Sequence, residues 1–462
     1  MFKDKVYIER RNKLREQLDS GLVLILGNTE ASMNYPANTY HWRQDSSFLY
    51  FFGLDYPDLA GIMDIDSGED YIFGNDVDMD DIIWMGNQPT MKERSMNAGI
   101  NNVFPYDNIV KLINEAKEQK RKVHFLPPYR AENIIRLEKL LDIHHSMIKD
   151  HVSVELIKAV VNLRSVKDKY EIKDIEGSVD VAYKMHTTAM KMAKPGIYER
   201  EIAGVVEGIA LSHGGPVSFP VILSINGQTL HNHYHGNLLK KGRMMVTDAG
   251  AESILHYASD ITRTVPVGGK FDQRQKEIYE IVLNANMAAI NATKPGITNK
   301  ELHLLSAKTI ASGLKDLGLM KGNIDDAVSQ GAHAMFFPHG LGHMMGLDVH
   351  DMEDLGENYV GYDDEIKRSK QFGLAFLRLG RKLQKGFVFT IEPGCYFIPA
   401  LIDQWRSEKK FMDFINYDKA ESYKDFGGIR IEDDILVTKS GFKVLGKPIP
   451  KTVKEIEKTM AG

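Results

Sequence analysis

The chain has 462 residues, 43% of them hydrophobic and 26% charged, with a net charge of -5. That length exceeds one ordinary core and predicts two or three domains, while the slightly acidic balance excludes a broad basic surface for nucleic acid. Cys395 is the single cysteine, so an intramolecular disulfide is impossible and a reducing compartment is expected.

The first eleven residues hold no apolar core of signal-peptide length. No stretch reaches the roughly 20 apolar residues of a spanning helix. A cytoplasmic protein with no membrane partner is expected. Residues 5–19 carry Ile8, Leu14 and Leu18 in helical rhythm, and Leu22 to Leu26 read as a short buried strand. Phe48–Gly53, Ile62–Ile65 and Tyr71–Phe73 are predicted as further strands, and a charged helix with Ile109, Leu112 and Ala116 follows. An α/β domain over residues 1–155 accounts for this pattern. Asp76, Asp78 and Asp80 alternate like the opening of a calcium loop, but Asp81 stands where glycine is required and Asn87 where glutamate is required. A solvated acidic turn is the better reading.

Residues 151–166 form a helix or linker into a second domain, 156–462. A duplication marks it: Lys194-Pro195-Gly196-Ile197 recurs as Lys294-Pro295-Gly296-Ile297, with Glu201 and Glu301 at matching offsets. Each copy follows one helical pattern and precedes another. Two α/β halves, each contributing acidic strands to a shared centre, are the predicted architecture.

The first half carries Asp248 and Asp260 on apolar, β-prone segments. A turn near Ile254 would pair these segments antiparallel and set the two carboxylates opposite each other on one face. Like charges so placed require a cation between them. The second half offers His339-Gly340-Leu341-Gly342-His343, whose glycines predict a loop closely approached by something. It lacks the glutamate of the helical zinc motif, and each histidine alone fits a ligand role or a structural one. Glu392 and Glu432 lie on apolar runs, where a carboxylate is costly unless paired or metal-bound. Four carboxylates and one neutral imidazole balance two divalent ions. Such an oxygen-rich set favours manganese, with cobalt or zinc able to substitute, and metal-assisted hydrolysis is the natural reaction. His231, His233 and His235 alternate, but without a carboxylate or cysteine a separate metal site there is disfavoured. Cys395 reads as interior packing, not as a nucleophile.

Taken in order, Asp248-Ala249-Gly250, Ser259 to Thr264, His339 to His343 with Gly346-Leu347-Asp348-Val349-His350-Asp351, Ile391-Glu392-Pro393-Gly394 and Ile429 to Asp434 resemble the signature of the pita-bread metallopeptidases acting on Xaa-Pro bonds. Arg43 to Phe48 resembles the noncatalytic domain shared by aminopeptidase P and prolidase in that family. The resemblance implies an N-terminal creatinase/aminopeptidase P-like α/β domain and a C-terminal duplicated pita-bread domain. It implies five metal ligands, Asp248, Asp260, His343, Glu392 and Glu432, with Asp260 and Glu432 bridging. It makes His231 and His350 substrate-facing, His339 and Arg430 neighbours of the site, and Glu392 the proton shuttle. The segment Gly373 to Leu383 resembles prolidase, which implies that Arg378, fourteen residues before Glu392, holds the C-terminal carboxylate of a dipeptide. Hydrolysis of Xaa-Pro dipeptides by a homodimer is therefore expected, with removal of the N-terminal residue from longer peptides as the alternative. Two departures stand out: the aspartates are twelve apart where the family usually has eleven, and the acidic stretch Glu353 to Lys370 is long enough for a lid or interface.

Overall fold

Five apolar residues in succession, Leu22–Leu26, form strand β1 and are all buried. Leu22, Leu24 and Leu26 pack with Ile109, Ile113, Leu137 and Leu140, leaving Val23 and Ile25 for the opposite face. The computed structural model describes residues 1–462 as two compact units, Met1–Arg164 with Glu353–Tyr359, and Ser165–Met352 with Val360–Gly462.

In the first unit, helix α1 (Asp4–Arg15) precedes β1, and a hairpin of β2 (Ser32–Tyr35) and β3 (Asn38–Thr39) leads to helix α2 (Ser46–Phe52). Strands β4 (Ala60–Asp64) and β5 (Asp70–Phe73), helices α3 (Met79–Met85) and α4 (Met91–Met96), strand β6 (Asn102–Phe104), helix α5 (Ile109–Glu118), strand β7 (Val123–Phe125) and helix α6 (Ala131–Leu141) follow. The five-stranded sheet runs β6-β5-β4-β1-β7, with β1–β7 and β5–β6 parallel and the other pairs antiparallel.

One expectation needs correction, and a second, the solvated acidic turn, gains detail. Phe48–Gly53 is not a strand: the Asp45 side chain accepts the Phe48 N–H at 2.8 Å, starting α2, and left-handed Gly53 ends it. An apolar run of this length has no period that separates a buried strand from a buried helix. The alternating aspartates serve helix starts: Asp78 and Asp81 form a reciprocal capping box at α3, and Asp76 accepts the Met91 N–H of α4.

Helix α7 (Val154–Ser165) occupies the expected linker. The second unit then repeats itself. Helices α8 (Lys169–Met192) and α9 (Glu199–Ser212) flank the first Lys-Pro-Gly-Ile, and α10 (Gln273–Ala292) and α11 (Asn299–Asp316) flank the second. Gly196 and Gly296 adopt φ of 90° and 89°, a conformation that strongly favours glycine. The Gly196 N–H donates to Leu239 O and the Leu239 N–H returns to Ile197 O; Gly296, Leu383 and Ile297 repeat both bonds.

The first repeat contributes the antiparallel sheet β8 (Ile222–Ser224), β9 (Met244–Asp248) and β10 (Thr262–Pro266). In the second, β11 (Val388–Ile391) pairs with β14 (Asp433–Val437), which also pairs with β15 (Phe442–Val444), while β12 (Gly394–Tyr396) pairs with β13 (Gly428–Arg430). Each long strand of this repeat is interrupted: one at Glu392-Pro393, the other at Ile431-Glu432. The Glu432 N–H donates instead to Thr262 O, so the break ties the two repeats together.

Candidate metal centre and substrate cleft

The β9–β10 hairpin has a different register from the expected one. Asp248 faces Thr262, and the outlying bridge between Glu252 and Ala258 centres the turn on Leu255, not Ile254. Asp260 therefore lies two residues from the partner of Asp248. The carboxylates share a face diagonally instead of standing opposite.

Asp260, Glu432 and His343 each bring a ligand atom within 4.8 Å of the others. The His343 Nε2 lies 3.3 Å from Asp260 and 3.7 Å from Glu392. Thr262 donates its hydroxyl to Glu432 at 2.7 Å, and Asp434 accepts the Asp260 N–H at 3.0 Å. Asp248 accepts from Arg430 at 2.6 Å. Arg430 also donates to the Tyr396 hydroxyl at 3.0 Å, and that hydroxyl lies 2.9 Å from His339 Nε2.

The glycines of the His-Gly-Leu-Gly-His loop are explained by β11. The His343 and Thr390 backbones are hydrogen-bonded, and a Cβ on Gly342 would meet Thr390 O at 1.8 Å. His343 is thereby fixed by main chain. Its Nδ1 lies 3.0 Å from Met344 O, and a carbonyl can only accept, so Nδ1 carries the proton. Burial, then the neighbouring His350, hold the imidazole well below its ordinary range, so it is neutral and Nε2 presents a lone pair.

That lone pair points among carboxylate oxygens. Burial and then mutual repulsion, chiefly with Glu432, raise Asp260 well above the usual carboxylate range; burial and then Glu392 do the same to Glu432. Burial pushes Glu392 up to about 8 although Arg430 opposes it. Asp248 Oδ1 and Asp260 Oδ1 are buried without a hydrogen-bond partner. Buried carboxylate oxygens without a partner, beside an unprotonated imidazole nitrogen, make a donor set that fits divalent cations.

Beside the cluster opens a cleft of about 640 Å³, lined by His231, His339, His350, Arg378, Arg430 and the exposed Phe376, among others. His231 is lowered by desolvation and then by the Arg430 cation. The structure thus gathers all ten candidate residues around one cavity. His233 lines the same cleft, whereas His235 turns to Leu223 O; the alternating histidines make no separate metal group. Cys395 is buried on β12. Sequence reasoning gave no role to Thr262, Thr390, Tyr396 or Asp434. Thr262 and Asp434 stood inside quoted motifs, but nothing local marked Tyr396.

Buried acidic side chains from two repeats, one oriented neutral imidazole and an adjoining cleft define a divalent-metal enzyme. Residues 173–439 match the model of Metallopeptidase family M24, and residues 7–124 match that of the Aminopeptidase P, N-terminal domain. The chain belongs to metallopeptidase family M24. It is 30% identical to human Xaa-Pro dipeptidase over 98% of this chain and 92% of the relative. It is 32% identical to a probable Xaa-Pro aminopeptidase of Aspergillus clavatus over 91% and 88%. Pseudomonas aeruginosa aminopeptidase PepP superposes with a TM-score of 0.81 at 27% identity, covering 100% of this chain and 98% of that one. Escherichia coli aminopeptidase P with the inhibitor Pro-Leu gives the same values.

Proposed function

We propose that this chain hydrolyses the Xaa-Pro bond of dipeptides, with Asp248, Asp260, His343, Glu392 and Glu432 holding two divalent ions. Asp260 and Glu432, whose carboxylate oxygens lie within 4.8 Å of each other and of a His343 nitrogen, would be shared by the two ions. The oxygen-rich set favours manganese, with cobalt or zinc as substitutes. When bound, such a pair supplies an acidified water and a Lewis acid for the scissile carbonyl.

The protein's own groups do the rest. Arg378 holds the substrate carboxylate one residue beyond the scissile bond, where its planar fork fits two oxygens. His231 and His350 steady the carbonyl oxygen as negative charge develops on it. Glu392, at the cleft edge of the cluster, passes a proton to the departing imide nitrogen, which has no hydrogen of its own. His339 is a positioning residue: Gly340 O accepts from its Nδ1 and the Tyr396 hydroxyl occupies its Nε2. A homodimer in the cytoplasm is the setting the family resemblance supports.

The observation carrying the dipeptide reading is Arg378 on the same cleft wall as the carboxylate cluster. Similarity to aminopeptidases P supports the second reading, removal of an N-terminal residue from longer peptides. Assaying Ala-Pro against Ala-Pro-Ala with manganese separates them. Faster cleavage of Ala-Pro is expected, and faster cleavage of Ala-Pro-Ala would replace the first reading with the second.

A further inference from the structure

A second group of ligand-type side chains lies in the Met1–Arg164 unit, on residues to which the proposed hydrolysis gives no role. Helix α6 ends at Leu141, and Asp142 takes a left-handed conformation, φ 59°. The chain reverses there and brings His144 and His145 back over Glu138, one turn inside the helix. Glu138 accepts the His145 N–H at 3.1 Å, and its Oε1 lies 3.3 Å from His145 Nδ1. The two imidazoles lie side by side, centroids 4.0 Å apart. One nitrogen from each ring and one Glu138 oxygen fall within 4.8 Å of one another.

The scaffold beneath is rigid. Leu137, Leu140, Leu141 and Ile148 flank the three residues in sequence and are buried in the core of the sheet domain. The Glu138 carbonyl is itself the acceptor that closes the turn, at 2.9 Å from the Asp142 N–H. Ligands on ordered elements lose little freedom when an ion binds. The donor set also differs in kind from the cleft. Two imidazoles with one carboxylate suit zinc-class ions, whereas a carboxylate cluster with one imidazole suits manganese.

We propose that Glu138, His144 and His145 form a zinc-class metal site on the N-terminal unit, with its remaining positions open to water. The chain would then carry two metal centres of opposite preference.

The test uses the full chain bearing Asp260→Asn and Glu432→Gln, so that the cleft is disabled, and measures zinc binding by competition with a chromophoric indicator. Zinc binding is expected to persist there, to weaken at least about tenfold with Glu138→Gln, and to drop by one ion per chain when His144→Ala and His145→Ala are added. Equal zinc uptake with and without the two histidines would overturn the site. A second measurement places the same two alanines in the otherwise unchanged, manganese-loaded chain. Unchanged peptide hydrolysis is expected, and a loss of it alongside unchanged zinc uptake would also overturn the proposal.

Discussion

The two repeats of the second unit share a scaffold and divide the labour on it unequally. Both close their helix pairs with the same two hydrogen bonds at Lys-Pro-Gly-Ile, and each supplies two of the four clustered carboxylates. They part company in the return path: the chain runs 40 residues from Tyr198 to its bridge partner Leu238, but 84 from Thr298 to Lys382. Within that longer path lie His339, His343, His350, Phe376 and Arg378 of the cleft wall, while the first repeat's path gives His231 and His233 among others. The clustered carboxylates thus sit in or beside the strands of both repeats, whereas Arg378 belongs to the longer, unduplicated path. This is where variation is tolerated, since insertions disturb loops less than paired strands.

The largest expected effect strikes the shared scaffold. Asp260→Asn or Glu432→Gln, one from each repeat, should each reduce hydrolysis to background and strip metal, as read by turnover and elemental analysis. The same changes should raise the melting temperature of the chelator-treated protein, because each removes a buried charge that its neighbours repel. Near-normal turnover by either variant would mean that the two repeats do not share one centre.

Chelation also gives a pH signature. Glu392 is raised from 4.5 to about 8, so its protonated form favours the folded state below pH 4.5. That contribution is lost as pH rises toward 8. Melting of the metal-free chain should therefore fall across this window, and added manganese should flatten the trend. A metal-free profile that rises instead would reverse the assigned sign.

Next comes the insertion. Arg378→Ala should lower kcat/KM for Ala-Pro about 10- to 100-fold, the range expected for losing hydrogen bonds to a charged group. Ala-Pro-Ala, whose proline carbonyl is an amide, should change far less. Equal losses on both peptides would make Arg378 a general support of the wall, and recognition would no longer belong to the insertion in this way.

The same division governs what could be read from the chain alone. The duplication was legible because a positive-φ glycine at each hinge fixes a tetrapeptide, and the metal-type residues because a carboxylate in an apolar run stands out. The hairpin register was missed by one residue at its centre, since no Gly or Pro marks the turn at Leu255. Phe48–Gly53 was missed because its helix start depends on the Asp45 cap, which an apolar count ignores. The supporting contacts were beyond reach. Tyr396 meets His339 across 57 positions and Asp434 meets the Asp260 N–H across 174, separations at which no local period exists.

The smallest effect tests whether the helix pairs are scaffold only. In the second repeat, Thr298 Oγ1 accepts the Glu301 N–H at 3.1 Å while Glu301 accepts the Thr298 N–H at 2.8 Å, completing a capping box. In the first, Glu201 accepts the Tyr198 N–H at 2.9 Å. Thr298→Ala leaves one N–H at the start of α11 without its hydroxyl and should cost about 1 kcal/mol of stability. The manganese-loaded variant should keep its kcat and KM, because no residue of α11 lines the cleft. If activity fell in step with the melting temperature, the helix pairs would have to be counted among the parts that hold the cleft wall in register, and the contrast between a passive scaffold and an active insertion would fail.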